Sequence, residues 1–195
     1  MFKTKLLLEP EDLKPSFENW TVKGVINPAV IRMPNKKIMM FARVAEESHL
    51  HSGKLLHCPV VVDDSKGYKT GHEKIKKKDI VKRSEDAVFL KSGICRLTTF
   101  SHFRKIVLDE SGFEVEHIGE KPIFTGTPRE GQFGVEDPRF IKIGKKYYMT
   151  YVAVSMYEGV STALAVSKDL IKWKRLGIIF REQNKDVVLF PEKIK

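Results

Sequence analysis

The sequence predicts an all-β fold on three observations: short apolar segments rich in β-branched and aromatic residues, turn residues between them, and no long apolar stripe of helical period. The first such segment is Lys37-Ile38-Met39-Met40-Phe41-Ala42-Arg43-Val44, preceded by the turn signal Pro34-Asn35. The second, Ile94-Cys95-Arg96-Leu97-Thr98-Thr99-Phe100, follows Ser92-Gly93. The third, Lys146-Tyr147-Tyr148-Met149-Thr150-Tyr151-Val152-Ala153-Val154, follows Ile143-Gly144-Lys145. Such side chains fit a pleated, half-buried surface, and Gly, Pro and Asn supply the reversals. Only residues 10–17 offer a brief helical segment.

Three strand starts repeat one pattern. Asn27-Pro28-Ala29-Val30-Ile31, Asp137-Pro138-Arg139-Phe140-Ile141 and Phe190-Pro191-Glu192-Lys193-Ile194 share a polar or aromatic residue, a proline, one variable residue and an extended run. The prolines are 110 and then 53 residues apart, two periods and one period of about 54. Asp86-Ala87-Val88-Phe89-Leu90 falls where the missing copy belongs, without the proline. A unit of that size holds four short strands, and repeats of roughly 40–50 residues read as blades of a β-propeller. The expected blades are 20–75, 76–125 and 126–182, with the start of a fourth at 183–195, all in one domain over residues 1–195. In the third, strands are expected at 139–143, 146–154, 161–167 and 173–180, with the polar corner Ser167-Lys168-Asp169-Leu170 before Trp173. Three blades and a stub leave open edges, so the chain is expected to be incomplete as a closed ring: the missing blades come from elsewhere, the chain is a fragment, or the blade count differs.

Composition narrows the function classes. A chain of 195 residues that is 42% hydrophobic supports one sizeable core. No apolar run approaches the ~20 residues of a membrane span. Leu6-Leu7-Leu8 is far shorter than the apolar core of about 7–15 residues in a signal peptide, so no membrane association and a cytoplasmic location are expected. Cys58 and Cys95 lack metal-ligand spacing and are expected to be buried free thiols. His49, His51, His57, His72, His102 and His117 also lack it, so they read as surface or core residues, and no metal is expected. The net charge of +10 concentrates in residues 69–83, which include Lys74, Lys76, Lys77, Lys78, Lys82 and Arg83. That run has no aromatic after Tyr68 on which a base would stack and no groove-reading motif. It is read as a solvated connector rather than a nucleic-acid or other polyanion site.

The chemistry gathers in Gly134-Val135-Glu136-Asp137-Pro138-Arg139-Phe140, two adjacent carboxylates before a proline and an arginine just after it. Such a run is a poor helix and a poor central strand. The proline is expected to push Asp137 toward extended backbone and so to aim its carboxyl. Inner strands of a propeller converge on its axis, so Asn27, Asp137 and residues 184–192 are expected to meet. Carboxylates and amides exchange hydrogen bonds with sugar hydroxyls, and arginine grips a carboxylate or phosphate with two parallel bonds. Cleaving a glycosidic bond also needs a carboxylic acid to protonate the leaving oxygen. Asp137 is the candidate.

Taken together, residues 134–139, Asn27-Pro28-Ala29 with Arg43, and Asn184-Lys185-Asp186-Val187-Val188-Leu189-Phe190-Pro191-Glu192-Lys193 resemble glycoside hydrolase family 130, the inverting β-mannoside phosphorylases and related mannosidases. The resemblance implies a five-bladed β-propeller with a central cleft. It makes Asp137 the general acid, relaying its proton through a sugar hydroxyl while inorganic phosphate attacks the anomeric carbon from the opposite face. Mannose 1-phosphate is released with no covalent intermediate, no metal and no cofactor. It further implies that Asn27, Arg43 and Asn184 hold the mannosyl unit, with Lys185 and Asp186 in the same wall. Glu136 stands beside the sugar, and Arg139 orients Glu136 or Asp137. The implied partners are a β-1,2- or β-1,4-linked manno-oligosaccharide and inorganic phosphate as co-substrate; a homo-oligomer is compatible with them.

Two departures bear on the reaction. Family members continue beyond the Phe-Pro strand and carry an arginine beside a histidine that helps bind phosphate, positions that would follow Lys195. Glu192 stands where some phosphorylases carry a basic residue, as a phosphate-site neighbour or, as in hydrolytic members, a base for water. Phosphorolysis is the leading expectation. A hydrolytic β-mannosidase and a catalytically inactive sugar-binding fragment are the alternatives, and a polyanion-binding module through residues 69–83 is a further reading.

Overall fold

The computed structural model describes residues 3–181 and 183–192, and its regular structure is β except for two short 3₁₀ turns, Pro10–Asp12 and Lys77–Asp79. The all-β expectation holds, and the brief helical segment shrinks to the first of these turns. Among the described residues, no helix is long and apolar enough to cross a membrane.

Numbering strands in chain order, β1 (Trp20–Arg32) and β2 (Ile38–Ser48) form a hairpin. The next six strands build two three-stranded sheets: β3 (His51–Ser52), β4 (Leu55–Asp64) and β5 (Gly67–Lys76), then β6 (Ile80–Arg83), β7 (Ala87–Leu90) and β8 (Cys95–Leu97). Strands β9 (Thr99–Leu108) and β10 (Val115–Phe124) return to the first hairpin and complete a four-stranded antiparallel sheet in the order β1-β2-β9-β10. A second four-stranded sheet follows as a simple meander: β11 (Val135–Ile143), β12 (Lys146–Ser155), β13 (Gly159–Ser167) and β14 (Trp173–Phe180).

The four strands expected at 139–143, 146–154, 161–167 and 173–180 fall within the four strands of this second sheet, the first and third of which begin earlier than expected, at Val135 and Gly159. The expected blades 20–75 and 76–125 do not correspond to sheets. The partner of β2 is β9, in register from Ile38 opposite Leu108 to Glu47 opposite Thr99. Residues 20–48 and 99–124 therefore form one sheet, and residues 51–97 are inserted within it. An insertion of nearly one blade's length mimics the repeat period, because periodicity along the chain carries no record of which strands pair. The same correction applies to residues 69–83: they are not a connector but lie in β5, a 3₁₀ turn and β6. Residues 184–190 form no strand, and Lys193, Ile194 and Lys195 lie outside the described residues.

The core follows the two-residue period of the strands. On β2, Met40, Ala42 and Val44 face one side with Ile106 and Leu108, where Leu7, Leu8 and Leu13 cover them. Met39 and Phe41 face the other side, where Phe103, Phe124, Val135, Met149 and Tyr151 join the two large sheets. Arg43 shares that second face. Trp20, Val61 and Phe100 pack the insertion onto the first sheet, and Phe17 closes over them. His102 is a core histidine, hydrogen-bonded at 2.8 Å to the buried Glu46. Of the thiols, Cys58 is buried, with burial pushing its pKa up to about 11, whereas Cys95 is exposed, contrary to expectation.

Polar contacts lock the sheets together at their margins. The Arg175 guanidinium lies 3.9 Å from the Phe124 ring centroid and donates to Glu130 at 2.8 Å. The Tyr151 hydroxyl also donates to Glu130. Nearer the centre, the only isolated bridge among the described residues pairs Ser101 of β9 with Gly134. Gly134 has φ 119°, and a Cβ there would sit 2.9 Å from both the backbone nitrogen and the carbonyl oxygen of Ser101. Only glycine permits this approach. Gly134→Ala should lower the unfolding free energy by about 1–3 kcal/mol, from backbone strain combined with the clash. Urea denaturation monitored by tryptophan fluorescence checks this, and an unchanged midpoint would remove the constraint.

Candidate functional site

Two bulges build the site. Pairing between β1 and β2 shifts between Ile26 and Ala29, which leaves Asn27 and Pro28 outside the ladder. Pairing between β11 and β12 shifts between Glu136 and Arg139, which leaves Asp137 and Pro138 outside it. Both expelled polar residues adopt left-handed backbone, Asn27 at φ 44° and Asp137 at φ 48°. The expected extended backbone at Asp137 is therefore wrong. A following proline disfavours the right-handed helical region but leaves the left-handed one open to a short polar side chain, and a bulge supplies the room. A left-handed residue costs about 1–2 kcal/mol at a non-glycine position, so the surrounding contacts hold it there.

Those contacts converge on one carboxyl. Asn27 donates its side-chain amide to Asp137 Oδ1 at 2.8 Å, and Arg43 donates Nη1 to the same oxygen at 2.9 Å. Arg43 also donates Nη2 to Glu136 Oε1 at 2.7 Å and Nε to Ser101 Oγ at 3.1 Å. One guanidinium thus bridges two adjacent carboxylates on the opposing sheet. Asp137 is only 5% exposed, while Glu136 and Arg43 are half-buried.

The two carboxyls are pushed in opposite directions. Burial works upward on Asp137, but hydrogen bonds from Asn27 and Arg43, together with the charges of Arg43 and Lys185, more than offset it. Its carboxyl sits below the ordinary range. On Glu136 burial dominates and raises the pKa; Arg43 pulls it down, and the neighbouring Asp137 charge pushes it further up. Asp137 therefore stabilises the fold above its unfolded-state pKa, a contribution lost as pH falls through its lowered folded value. Glu136 acts with the opposite sign, favouring the fold at low pH and losing that contribution as pH rises through its raised value.

The carboxy-terminal segment borders this cluster. The Asn184 amide nitrogen donates to the Val160 carbonyl at 3.0 Å. Thr162 Oγ1 donates to Asn184 Oδ1 at 2.8 Å, and Thr150 Oγ1 donates to the Val187 carbonyl at 2.6 Å. The Lys185 charge acts on both carboxyls, and its Nζ lies 3.8 Å from Asp186 Oδ2. Arg139 does not orient Glu136 or Asp137. It donates Nη1 to the Pro138 carbonyl and Nη2 to Asp186 at 3.4 Å. Arg43 does the orienting instead. Glu192 is exposed.

The structure thus brings together Asn27, Arg43, Glu136 and Asp137, with Lys185 within electrostatic reach. Arg139 and Asp186 pair along the adjoining wall, and Asn184 is tied to β13. Sequence reasoning missed Ser101, Thr150 and Thr162, which anchor this arrangement from strands with no distinctive local pattern. Among the described residues, no group of three or more His, Cys, Asp or Glu side chains has metal-site geometry.

A family model described as β-1,4-mannooligosaccharide phosphorylase, that of glycoside hydrolase family 130, matches residues 100–195. A β-1,2-mannobiose phosphorylase of Listeria innocua serovar 6a is 32% identical over 193 residues, covering 96% of this chain and 53% of that protein. A 1,2-β-oligomannan phosphorylase of a Thermoanaerobacter species is 42% identical over 77 residues, covering 38% of this chain and 26% of that protein. Among solved structures, the β-1,2-mannobiose phosphorylase from Listeria innocua in complex with β-1,2-mannobiose superposes with a TM-score of 0.81 at 30% identity. That match covers 95% of this chain and 52% of the other. The chain spans about half the length of the Listeria relative, which it matches over 96% of its own length.

Removing the shared cation should move both carboxyls the same way. In Arg43→Met, the titration midpoints of Asp137 and Glu136 should both rise, since each loses the Arg43 charge that pulls it down. Carboxyl-carbon NMR titration reads both residues, and unmoved midpoints would show that Arg43 does not hold them.

Proposed function

The chain belongs to glycoside hydrolase family 130, and we propose that it carries the acid-bearing part of an enzyme that cleaves β-mannosides by inverting phosphorolysis, releasing mannose 1-phosphate. The observation that carries the reading is the pair of bulges that present Asn27 and Asp137 to one another, with Arg43 clamped between Asp137 and Glu136. The relatives named for β-1,2-mannobiose and 1,2-β-oligomannan support a β-1,2-linked substrate. Inorganic phosphate is the co-substrate, no cofactor enters the reaction, and a cytoplasmic location suits a phosphate-consuming enzyme.

In the proposed step the glycosidic C–O bond breaks as a phosphate oxygen bonds to the anomeric carbon from the opposite face. The leaving oxygen takes a proton that originates at Asp137 and passes through a sugar hydroxyl. Asn27, Arg43 and Asn184 hold the mannosyl unit, and Lys185 and Asp186 complete the wall, with Arg139 steadying Asp186. Glu192 neighbours the phosphate path. In the open site Asp137 is held ionised by Asn27 and Arg43. A sugar that covers the carboxyl deepens its burial, the influence that already works upward on it, and so favours proton uptake as substrate enters. One observation favours a second assignment: Glu136, whose pKa is raised, is the carboxyl that retains a proton more readily in the open site.

Incubation of the full chain with β-1,2-mannobiose should yield mannose 1-phosphate only when phosphate is present; equal mannose release without phosphate would move the protein to the mannosidase reading. Asp137→Asn should lower turnover by about 10²–10⁴-fold, and Glu136→Gln by less. The reverse order would transfer the acid role to Glu136.

A further inference from the structure

The insertion holds the basic run of residues 69–83, and the fold gathers part of it around a cavity. The cavity, of about 540 Å³, opens where β4 and β5 meet the 3₁₀ turn Lys77–Asp79. Gly53, Lys54, Leu55, Lys76, Lys77 and Lys78 line it, so four of its six lining residues are lysines. We propose that this cavity binds a small, multiply phosphorylated anion, an oligophosphate or a bisphosphorylated metabolite, independently of the reaction proposed above.

Strand register builds the site. Leu55 lies opposite Lys76 and His57 opposite Lys74, so both lysines stand on one face of the β4–β5 hairpin. Between them Ile75 points the other way and packs with Leu56, Cys58 and Val88. The Lys77 amide then donates to the Lys54 carbonyl at 2.9 Å, which sets Lys54 beside Lys77. The Ile80 amide closes the turn on the Lys77 carbonyl, and the Lys91 amide donates to the Asp79 carbonyl at 2.8 Å. Hydrogen bonds thus fix the backbone on both sides of the cavity, so a ligand has only the lysine side chains to order.

The charge there is uncompensated. Lys54, Lys76, Lys77 and Lys78 are exposed, and among the described residues none of the four forms an ion pair within 4 Å. Neighbouring carboxylates are engaged elsewhere: Glu73 accepts from Arg96 at 2.6 Å, and Asp64 pairs with Lys69 at 2.8 Å. Ammonium groups gathered without counter-charge repel one another, and a multivalent anion relieves that repulsion as it binds.

The lining also selects the ligand class. Ammonium groups donate and cannot accept, so a neutral sugar would leave its hydroxyl protons without partners there. Lysine binds phosphate as a point charge, without the fork geometry that arginine imposes. The described lining holds no aromatic ring, so a nucleobase has nothing to stack on. The volume lies in the usual range for small-ligand sites, about 300–1,000 Å³. The site is also remote from the carboxylates along β4. The Val61 amide donates to the Gln132 carbonyl at 2.8 Å, near the segment that leads to Glu136, whereas Leu55 lies six residues back along the strand, about 20 Å at the usual rise.

Calorimetric titration of the full chain with sodium tripolyphosphate should show one binding event per chain that weakens as salt is raised. Orthophosphate should bind at least about tenfold more weakly. Lys54→Gln combined with Lys77→Gln should weaken tripolyphosphate about 10–100-fold. The charge-matched control, Lys168→Gln with Lys172→Gln at two exposed positions of the second sheet, should leave it unchanged. Equal weakening in both double variants, or none in the first, would overturn the proposal. In the wild-type chain, saturating tripolyphosphate should slow acetylation of Lys54 and Lys77 but not of Lys168, read by peptide mass spectrometry; the same rates with and without it would also refute the site. A short DNA duplex that binds more tightly than tripolyphosphate through the same two lysines would replace the small anion with a nucleic acid.

Discussion

The backbone contact between Ser101 and Gly134 is the constraint on which the rest of the site depends. It draws β9 of the first sheet against the start of β11 in the second so closely that a Cβ at residue 134 would collide with main-chain atoms. The two residues after Gly134 in the chain lead to Glu136, and Ser101 itself accepts a hydrogen bond from Arg43. One close approach thus sets the distance across which Arg43 reaches both carboxylates. The hydrophobic layer of Phe41, Phe103, Phe124, Met149 and Tyr151 holds the sheets together, but apolar packing is not directional. The glycine contact supplies the register.

Within that register the site stores strain and charge together. Asn27 and Asp137 are both forced into left-handed backbone at proline-led bulges, and each is the other's hydrogen-bond partner. The amide and the guanidinium hold Asp137 ionised, while its neighbour Glu136 is driven toward the neutral form. Two carboxyls one residue apart therefore differ in proton affinity because one faces two donors and the other shares only one. Environments that separate adjacent carboxyls in this way are how acid and base roles are divided in glycoside chemistry.

The insertion at residues 51–97 adds a wall that the large sheets alone would lack. It has its own small core of Leu56, Cys58, Ile75 and Val88, and it is anchored to the first sheet through Trp20, Val61 and Phe100. Its position outside the segment matched by the family model, 100–195, separates it from the part of the chain that bears Glu136 and Asp137. The sheet that bears them and the insertion meet only because β2 pairs with β9 and folds the intervening strands against the second sheet's margin.

The sequence by itself determined the strand-rich class, the four strands of the second sheet, and the segment whose two adjacent carboxylates meet Asn27 and Arg43. Each of these is written in local chemistry: two-residue alternation, turn residues at Gly144 and Ser167, and a proline after each bulged polar residue. It also paired Asn27 with Asp137 through their shared Pro-led pattern, because equivalent bulges leave equivalent traces. Only the tertiary structure decided that residues 20–48 and 99–124 form one sheet, that Arg43 rather than Arg139 steadies the two carboxyls, and that Ser101, Thr150 and Thr162 anchor the walls. Strand pairing over more than fifty intervening residues, and the choice between two arginines, are settled by where backbones approach and which side chain shares a face with its partner. A one-dimensional pattern does not encode those distances.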